Sequence, residues 1–446
     1  MQRQDNTQRV DPEKLIRDEP DTSTFLVDRS IYIDEDVFNA EIRQLYEGGW
    51  IYLCHESEII EAGDYVTRFM GRQPVVINRR KDGSIGCFIN ACSHRGTVIA
   101  PLRKGNAKSF TCRFHGWTYS DSGRCIKIKN ETTGAYPGTG SCRGKFDLKD
   151  IPRLDTYKGF VFGSLVADVP ELIDNLGPAK VWIDLVADQS PEGLEVLPGE
   201  STYIIRGNWK MGGENGVDGY HVSTVHRVFA ATMAKREESG SYTGVKKTES
   251  GRITGNVDSG SADFGNGHIG IWARRETPEA GPLYEAKDRL SEEFDVRKVE
   301  WMIGAGRNLY LFPNMLLMDQ PSTQIRTFRP LSAERTEVKI QCIAPRGESA
   351  QARESRLRKF LDFYLPTGMA TSDDIAALED TSIGGHGRLS QWNDYSRGVQ
   401  ETIPGDQCEE LMGIGCNATA VTRNWDHDTF YHGYYRHWLK MMSRNK

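Results

Sequence analysis

The sequence predicts an α+β protein in two parts. One is a small antiparallel β domain carrying two metal-binding loops; the other is a larger domain whose antiparallel sheet is covered by helices. Three observations predict this. Short apolar or alternating runs separated by turn residues fill the stretch from Trp50 to Leu165. Two loops within it each carry a Cys and a His, Cys92-Ser93-His94 and Cys112-Arg113-Phe114-His115. Further on, Asn308 to Met318, Gln324 to Pro330 and Glu337 to Ala344 read as three strands of one sheet, with breaks at Pro313 and around Ser332 to Arg335. The amphipathic segment from Ser349 to Tyr364 can lie across that sheet as a helix.

A chain of 446 residues is long enough for two or three cores. The segmentation expected is an arm and helix of the larger domain over residues 1–47, the small β domain over 48–165 and the larger domain over 166–446. A net charge of -6 with no basic run offers no nucleic-acid face. Met1 to Asp21 lacks an apolar core, so it reads as neither a signal peptide nor a membrane anchor. No apolar stretch approaches the ~20 residues of a spanning helix. Nine Cys in so long a chain are no disulfide framework. Those outside the two loops are expected as free thiols in a reducing cytoplasm.

Taken in order, the first 33 residues read as a mobile tail and an extended arm. Asp34 can cap a helix whose Phe38, Ile42, Leu45 and Tyr46 share one face, placed on the outside of the larger domain. Trp50–Leu53, Tyr65–Phe69 and Pro74–Asn78 are strands, and Lys81-Asp82-Gly83-Ser84 turns the chain back into Ile85–Asn90. The first metal loop follows at once. Ser109-Phe110-Thr111 enters the second and Trp117-Thr118-Tyr119 leaves it. Residues 129–144, rich in Gly and Thr, are a surface loop. Tyr157–Leu165 closes the small domain as a strand, Pro170–Leu185 is one or two helices, and Leu194–Ile205 is extended. Glu237–Asn266 reads as a long surface or lid segment, and Pro282–Ile303 as mostly helical. Beyond Glu401 the chain is rich in aromatics and packs on the larger domain or a neighbouring subunit. His427, His432 and His437 read as surface or interface residues.

Two Cys-plus-His pairs suit a Rieske [2Fe–2S] cluster, with Cys92 and Cys112 on one iron and His94 and His115 on the other. Replacing two thiolates by imidazoles makes the cluster less negative and raises its potential, which fits a mild electron relay. A structural zinc site uses the same residue types. The glycines behind the pairs, Gly96 and Gly116, favour two tight loops closing over a cluster instead. A Cys92–Cys112 disulfide would leave both His unexplained.

A second metal region is Glu214-Asn215-Gly216-Val217-Asp218-Gly219-Tyr220-His221-Val222-Ser223-Thr224-Val225-His226. A mononuclear Fe(II) oxygenase site takes two imidazoles and a carboxylate on one face and leaves the others open. On an ideal helix His221 and His226 would stand about 140° apart, so the helix must break if both bind one iron. The alternative is two unrelated surface His. The carboxylate has to come from elsewhere in the chain.

With both motifs in view, the chain resembles the large (α) subunits of Rieske non-haem iron ring-hydroxylating dioxygenases, within them the benzoate, toluate, anthranilate and 2-halobenzoate branch. Gly71-Arg72-Gln73-Pro74, Gly207-Asn208-Trp209-Lys210, Met318-Asp319-Gln320 and Gly368-Met369-Ala370-Thr371 add to the likeness. The resemblance implies a helix-grip catalytic domain holding Fe(II) on His221, His226 and Asp374, the last from a helix capped by Thr371 or Ser372, with Asp373 as the competing ligand. Both Asp could instead serve only the helix N-terminus. Asp218, three residues before His221, could orient that imidazole, or could be no more than a helix cap. By the resemblance it also reaches the cluster ligand His115 of a neighbouring subunit. Tyr220, Glu214 and Asn215 are candidates for the surroundings of the iron.

The implied activity is NADH-dependent cis-dihydroxylation of an aromatic carboxylate by a cytoplasmic enzyme, giving a cis-dihydrodiol or catechol. The implied partners are a small β subunit, as α3β3, and a separate flavin and ferredoxin-type reductase, since this chain shows no nucleotide-binding G-x-G-x-x-G after a strand. A buried carboxylate wants an Arg, and Arg307, Arg326 and Arg329 lie near the expected sheet. Met211-Gly212-Gly213 could widen the pocket and admit ortho-substituted acids. The alternatives are a monooxygenase or O-dealkylase acting on an aryl ether acid such as a chlorophenoxyacetate, and a Rieske electron carrier without catalysis.

Overall fold

A computed structural model describes residues 10–131, 144–239 and 258–444. Most of the 129–144 loop, Cys142 and the 240–257 part of the expected lid lie outside the described residues. The chain divides into two compact units. One is Ile42–Leu172; the other joins the chain up to Glu41 with the chain from Ile173 onward.

Among the described residues the smaller unit holds three antiparallel sheets. The largest runs in the order Ile85–Ile89, Gln73–Arg79, Asp64–Met70, Lys104–Asn106. Its hairpin turn works as the residue types require: Gly83 takes φ +85° and the Asp82 carboxylate accepts the Ser84 N–H at 2.9 Å. Ser109–Thr111 and Thr118–Ser120 form the hairpin under the second loop. Tyr65, Phe88, Phe110, Trp117 and Tyr119 bury together, and Cys92 and Cys112 belong to the same cluster. The core of this unit therefore holds the roots of both loops.

The larger unit centres on a nine-stranded antiparallel sheet in the order Leu194–Ile205, Arg335–Pro345, Thr323–Ser332, Met315–Asp319, Ala305–Leu311, His268–Arg274, Ser259–Gly265, Ala420–Thr422, Ile403–Pro404. Asn308 lies opposite Met318, which lies opposite Gln324, while Leu316 lies opposite Arg326. Side chains alternate between faces with period two, so Asn308, Met318 and Arg326 share one face. Ser349 caps the Ala350–Tyr364 helix by accepting the Ala352 N–H at 3.1 Å.

Several expectations change. Ser259–Gly265, at the end of the expected lid, is a strand inside the sheet and almost wholly buried. Small residues hid its apolar pattern: Gly260 lies so close under Trp272 that a Cβ would meet that ring at 2.1 Å. Asn308–Met318 is a hairpin of two strands rather than one strand. The Glu35–Glu41 helix, capped by Asp34 as expected, is no simple outer helix. Its Glu41 is fully buried, bonded to Lys210 Nζ at 2.5 Å and to the indole N–H groups of Trp438 at 2.7 Å and Trp209 at 2.9 Å. Two of the three C-terminal His are not on the surface of this chain. His427 and His432 are buried, and His432 stacks on Phe25 with ring centres 4.0 Å apart. Burial pushes His437 down to about 3. The Phe430–Met442 helix carries Tyr434, Tyr435 and Trp438 into the core against the Ser259–Gly265 and His268–Arg274 strands.

Candidate metal centres

In the smaller unit the two Cys and His loops repeat one geometry. The Cys92 N–H donates to the Thr97 carbonyl and the Gly96 N–H returns to the Cys92 carbonyl. Likewise the Cys112 N–H donates to Trp117 and the Gly116 N–H to Cys112. Gly96 and Gly116 have φ of +71° and +72°, and a Cβ on either would touch nothing within 4 Å. They are there for the left-handed backbone, not for space. Both thiols are free and buried, so the two Cys are not joined in a disulfide. The Tyr119 hydroxyl sits 3.1 Å from Cys92 Sγ. His94 Nδ1 and His115 Nδ1 face each other at 3.1 Å, with His94 stacked 4.8 Å above Trp117. Two buried sulfurs and two half-buried ring nitrogens are the donor set of a mixed thiolate and imidazole cluster. Burial would raise the Cys112 thiol, but N–H donors from Phe114 and His115 outweigh it and hold the thiol below its ordinary range.

In the larger unit three separate elements converge. Asn208 caps the Trp209–Asn215 helix, which stops at Gly216. Asp218 then turns the chain, one carboxylate oxygen accepting the Tyr220 N–H at 2.7 Å and the His221 N–H at 3.3 Å. His221 opens a single helical turn, Val222–Val225, and His226 closes it before the Arg227–Glu238 helix begins. The interruption at His226 brings both imidazoles round, with their Nε2 atoms 3.2 Å apart. Asp374 enters from the first turn of the Thr371–Gly385 helix. Its Oδ1 is 3.5 Å from His221 Nε2 and 3.4 Å from His226 Nε2. The ligand atoms of His221, His226 and Asp374 lie within 4.8 Å of one another. Two imidazole nitrogens and a carboxylate converging in a buried place fit a divalent cation of the facial-triad kind. Thr371 does not cap this helix; its hydroxyl donates back to the Tyr364 carbonyl at 2.9 Å.

The surroundings treat the two His differently. Asp218 turns its other oxygen to His221 Nδ1 at 3.5 Å. Burial works against a charge on both partners, yet their mutual contact wins, raising His221 and lowering Asp218. His226 has no such carboxylate and burial lowers it; its Nδ1 is buried without a partner among the described residues. Asn215 donates to Asp374 Oδ1 at 3.3 Å. Tyr220 instead faces outward under the Arg397 guanidinium, 3.2 Å from its ring centre. Glu214 points away from the triad, taking hydrogen bonds from Tyr395 at 2.7 Å, from Tyr32 at 3.1 Å and from Tyr435. Burial pushes it up to about 7 despite those donors.

The triad opens into a cavity of about 140 Å³ walled by Phe229, Met233, Ile271, Met318 and Phe363. An apolar cavity of about 150 Å³ takes a benzene ring, so this one suits a single ring. Gly212 and Gly213 do not widen it. A Cβ there would meet the rings of Phe328 and Tyr310, each at 2.8 Å, so these glycines let the helix lie close on the sheet. Of the three candidate Arg, Arg307 pairs with Asp319 and Arg329 reaches Glu337 at 3.6 Å. Arg326 is buried and lines the cavity. Asn308 also lines it, its amide nitrogen held by the Gly216 carbonyl at 2.8 Å. Sequence reasoning did not single out Asn308; the available signal was a polar side chain at a strand position otherwise expected to face the core.

Two family models match the chain, "Rieske [2Fe-2S] domain" over residues 49–152 and "Ring hydroxylating alpha subunit (catalytic domain)" over residues 193–441. Toluate 1,2-dioxygenase subunit alpha of Pseudomonas putida is 45% identical over 393 residues, covering 88% of this chain and 86% of that one. The 2-halobenzoate 1,2-dioxygenase large subunit of Burkholderia cepacia is 38% identical over 90% of this chain and 86% of its own length. The anthranilate 1,2-dioxygenase large subunit of Acinetobacter baylyi is 37% identical over 95% and 90%. Among solved structures, naphthalene 1,2-dioxygenase from Rhodococcus sp. superposes with a TM-score of 0.81 at 23% identity, over 94% of this chain and 95% of that one.

Proposed function

Since the chain belongs to the ring-hydroxylating oxygenase alpha-subunit family, we propose that it is the large subunit of an enzyme that inserts O2 into a one-ring aromatic carboxylate, giving a cis-dihydrodiol or catechol. The observation that carries this is the convergence of His221, His226 and Asp374 at the wall of a single-ring apolar cavity. The acids for which its relatives are named, toluate, 2-halobenzoate and anthranilate, all pair one ring with one carboxylate.

In this reading Cys92 and Cys112 hold one cluster iron, His94 and His115 the other, and His221, His226 and Asp374 hold Fe(II). When bound, these groups supply one-electron transfer and oxygen activation. The chain's own residues do the positioning. Asp218 fixes the His221 ring through Nδ1 and so aims Nε2 at the metal position. Asn215 steadies Asp374. Phe229, Phe363 and Met233 keep water from the ring to be oxidised. The Asp218 side chain stays one-third exposed, at 34%, which leaves it able to meet His115 of the partner subunit in an assembly. The finer reading of that assembly is α3β3, fed from NADH by a separate flavin and ferredoxin-type reductase, in the cytoplasm. No helix among the described residues is long and apolar enough to cross a membrane.

The test is a product assay. The purified protein, a β subunit and a benzoate-type reductase receive NADH, labelled O2 and benzoate, 2-aminobenzoate or 2-chlorobenzoate. Two labelled oxygens in a cis-diol or catechol are expected. A single labelled oxygen, or no oxygenated product from any acid, overturns the reading.

A further inference from the structure

We propose that Arg326 is the residue that receives the substrate carboxylate, which makes it the determinant of acid over neutral ring. This rests on the aromatic-acid reading above and goes on to name the group that enforces it.

Among the described residues of the larger unit three arginines are buried, and two have their charge answered. Arg307 pairs with Asp319. Arg356 reaches Glu348 at 2.8 Å and donates to Thr323 at 2.7 Å. Arg326, only 4% exposed, makes no hydrogen bond or ion pair among the described residues, and its Nε is buried without a partner. Burying an unpaired guanidinium is strongly unfavourable. A fold keeps one where a ligand supplies the counter-charge.

Its position says which ligand. The Thr323–Ser332 strand places Arg326 on the sheet face shared with Met318 and Asn308, and all three line the cavity that holds the triad. The neighbouring protein carboxylate, Asp374, is not within ion-pair distance of Arg326, and its Oδ1 is turned to His221, His226 and Asn215. Once a divalent ion sits on the triad, that carboxylate is more than neutralised. Asp374 then offers Arg326 no counter-charge, and the walls around it include the apolar Phe229, Met233, Met318 and Phe363. The other cations of the lining have partners: Arg275 donates to the Asp319 carbonyl at 3.0 Å and Lys359 to the Ala280 carbonyl at 2.6 Å. What remains is a planar, forked donor facing a space the size of one ring. A ring bearing a carboxylate matches it, because the carboxylate can accept two parallel N–H bonds from the fork.

The test compares benzoate with benzamide, its uncharged near-isostere, by calorimetric titration of the purified protein with iron loaded and with iron removed. Wild type is expected to bind benzoate at least 30-fold more tightly than benzamide in the loaded form, and to keep a preference without iron. In Arg326→Gln the benzoate dissociation constant should rise at least 30-fold while that of benzamide moves less than threefold. Arg326→Lys, which keeps the charge but loses the fork, should give an intermediate loss and covers the case in which the Gln variant does not fold. Equal binding of benzoate and benzamide by wild type overturns the proposal, as does an unchanged benzoate constant in a folded variant. Two-oxygen products from toluene with no preference for benzoate would sink the role of Arg326 and leave the dioxygenase reading standing. Tight, Arg326-dependent benzoate binding with no oxygenated product would do the reverse.

Discussion

His221 Nδ1 lies 3.5 Å from the Asp218 carboxylate, whereas His226, five residues on, offers its own Nδ1 to no partner among the described residues. The two imidazoles of one site are thus held by different means. His221 is oriented by a carboxylate at ion-pair distance. His226 is fixed by packing, with Phe363 edge-on at 5.3 Å.

That asymmetry predicts what Asp218→Asn does. An amide can still cap the Tyr220 and His221 N–H groups through its oxygen, so the turn survives. The ring loses its carboxylate, and loss of such an orienting partner lowers activity by about 10–100-fold. Iron content should stay at the wild-type level, and chemical reduction of the cluster should be unaffected. Full activity with normal iron would show that Asp218 serves only as a cap.

Asp374 and Asp373 are separable by iron counting. Asp374 is buried, with Oδ1 3.4 Å from His226 Nε2, while Asp373 is outside the group of convergent ligand atoms. Asp374→Ala should lose the mononuclear iron and keep the visible spectrum of the cluster. Asp373→Ala should keep both. The opposite pattern would move the ligand to Asp373.

How far the sequence led depends on whether a feature was local. The cluster loops were legible because all their requirements, two Cys, two His and two left-handed glycines, fall within Cys92 to Trp117. The His221 and His226 pair was legible as a candidate, and the geometric demand that the helix break near them anticipates the interruption at His226. Features that depend on distant partners were not legible. Nothing around Glu41 announces that Lys210, Trp209 and Trp438 will close on it. Gly212 and Gly213 suggested empty space, yet Phe328 and Tyr310, more than ninety residues away, fill it. Arg326 could not be told from Arg307 or Arg329 until the strand register set which of them faces the cavity.

Glu214 gives a pH prediction. Its carboxyl is raised from an ordinary value of 4.5 to about 7, first by burial and against the three tyrosine donors. Between those values the unfolded chain has released this proton and the folded chain still holds it. Stability from this group therefore falls as pH rises from about 4.5 to about 7 and is flat above. Glu214→Gln removes the titration. Urea unfolding of both proteins at pH 5 and pH 8 should show wild type losing more stability on the alkaline step, by a few kcal/mol at most. Parallel losses in the two proteins would mean that Glu214 titrates normally.

Gly212→Ala tests whether this glycine serves the substrate or the fold. The added Cβ would fall 2.8 Å from a carbon of the Phe328 ring, nearer than real Cβ atoms approach. Phe328 is 2% exposed on the Thr323–Ser332 strand, so the ring has little room to turn away. Either the helix or the strand must shift, and overpacking of this kind destabilises by about 1–3 kcal/mol. Since Gly212 is not part of the cavity lining, the ratio of kcat/KM for 2-chlorobenzoate over benzoate should change less than threefold even as the melting temperature drops. A variant of wild-type stability with an altered preference among ortho-substituted acids would instead place Gly212 at the substrate.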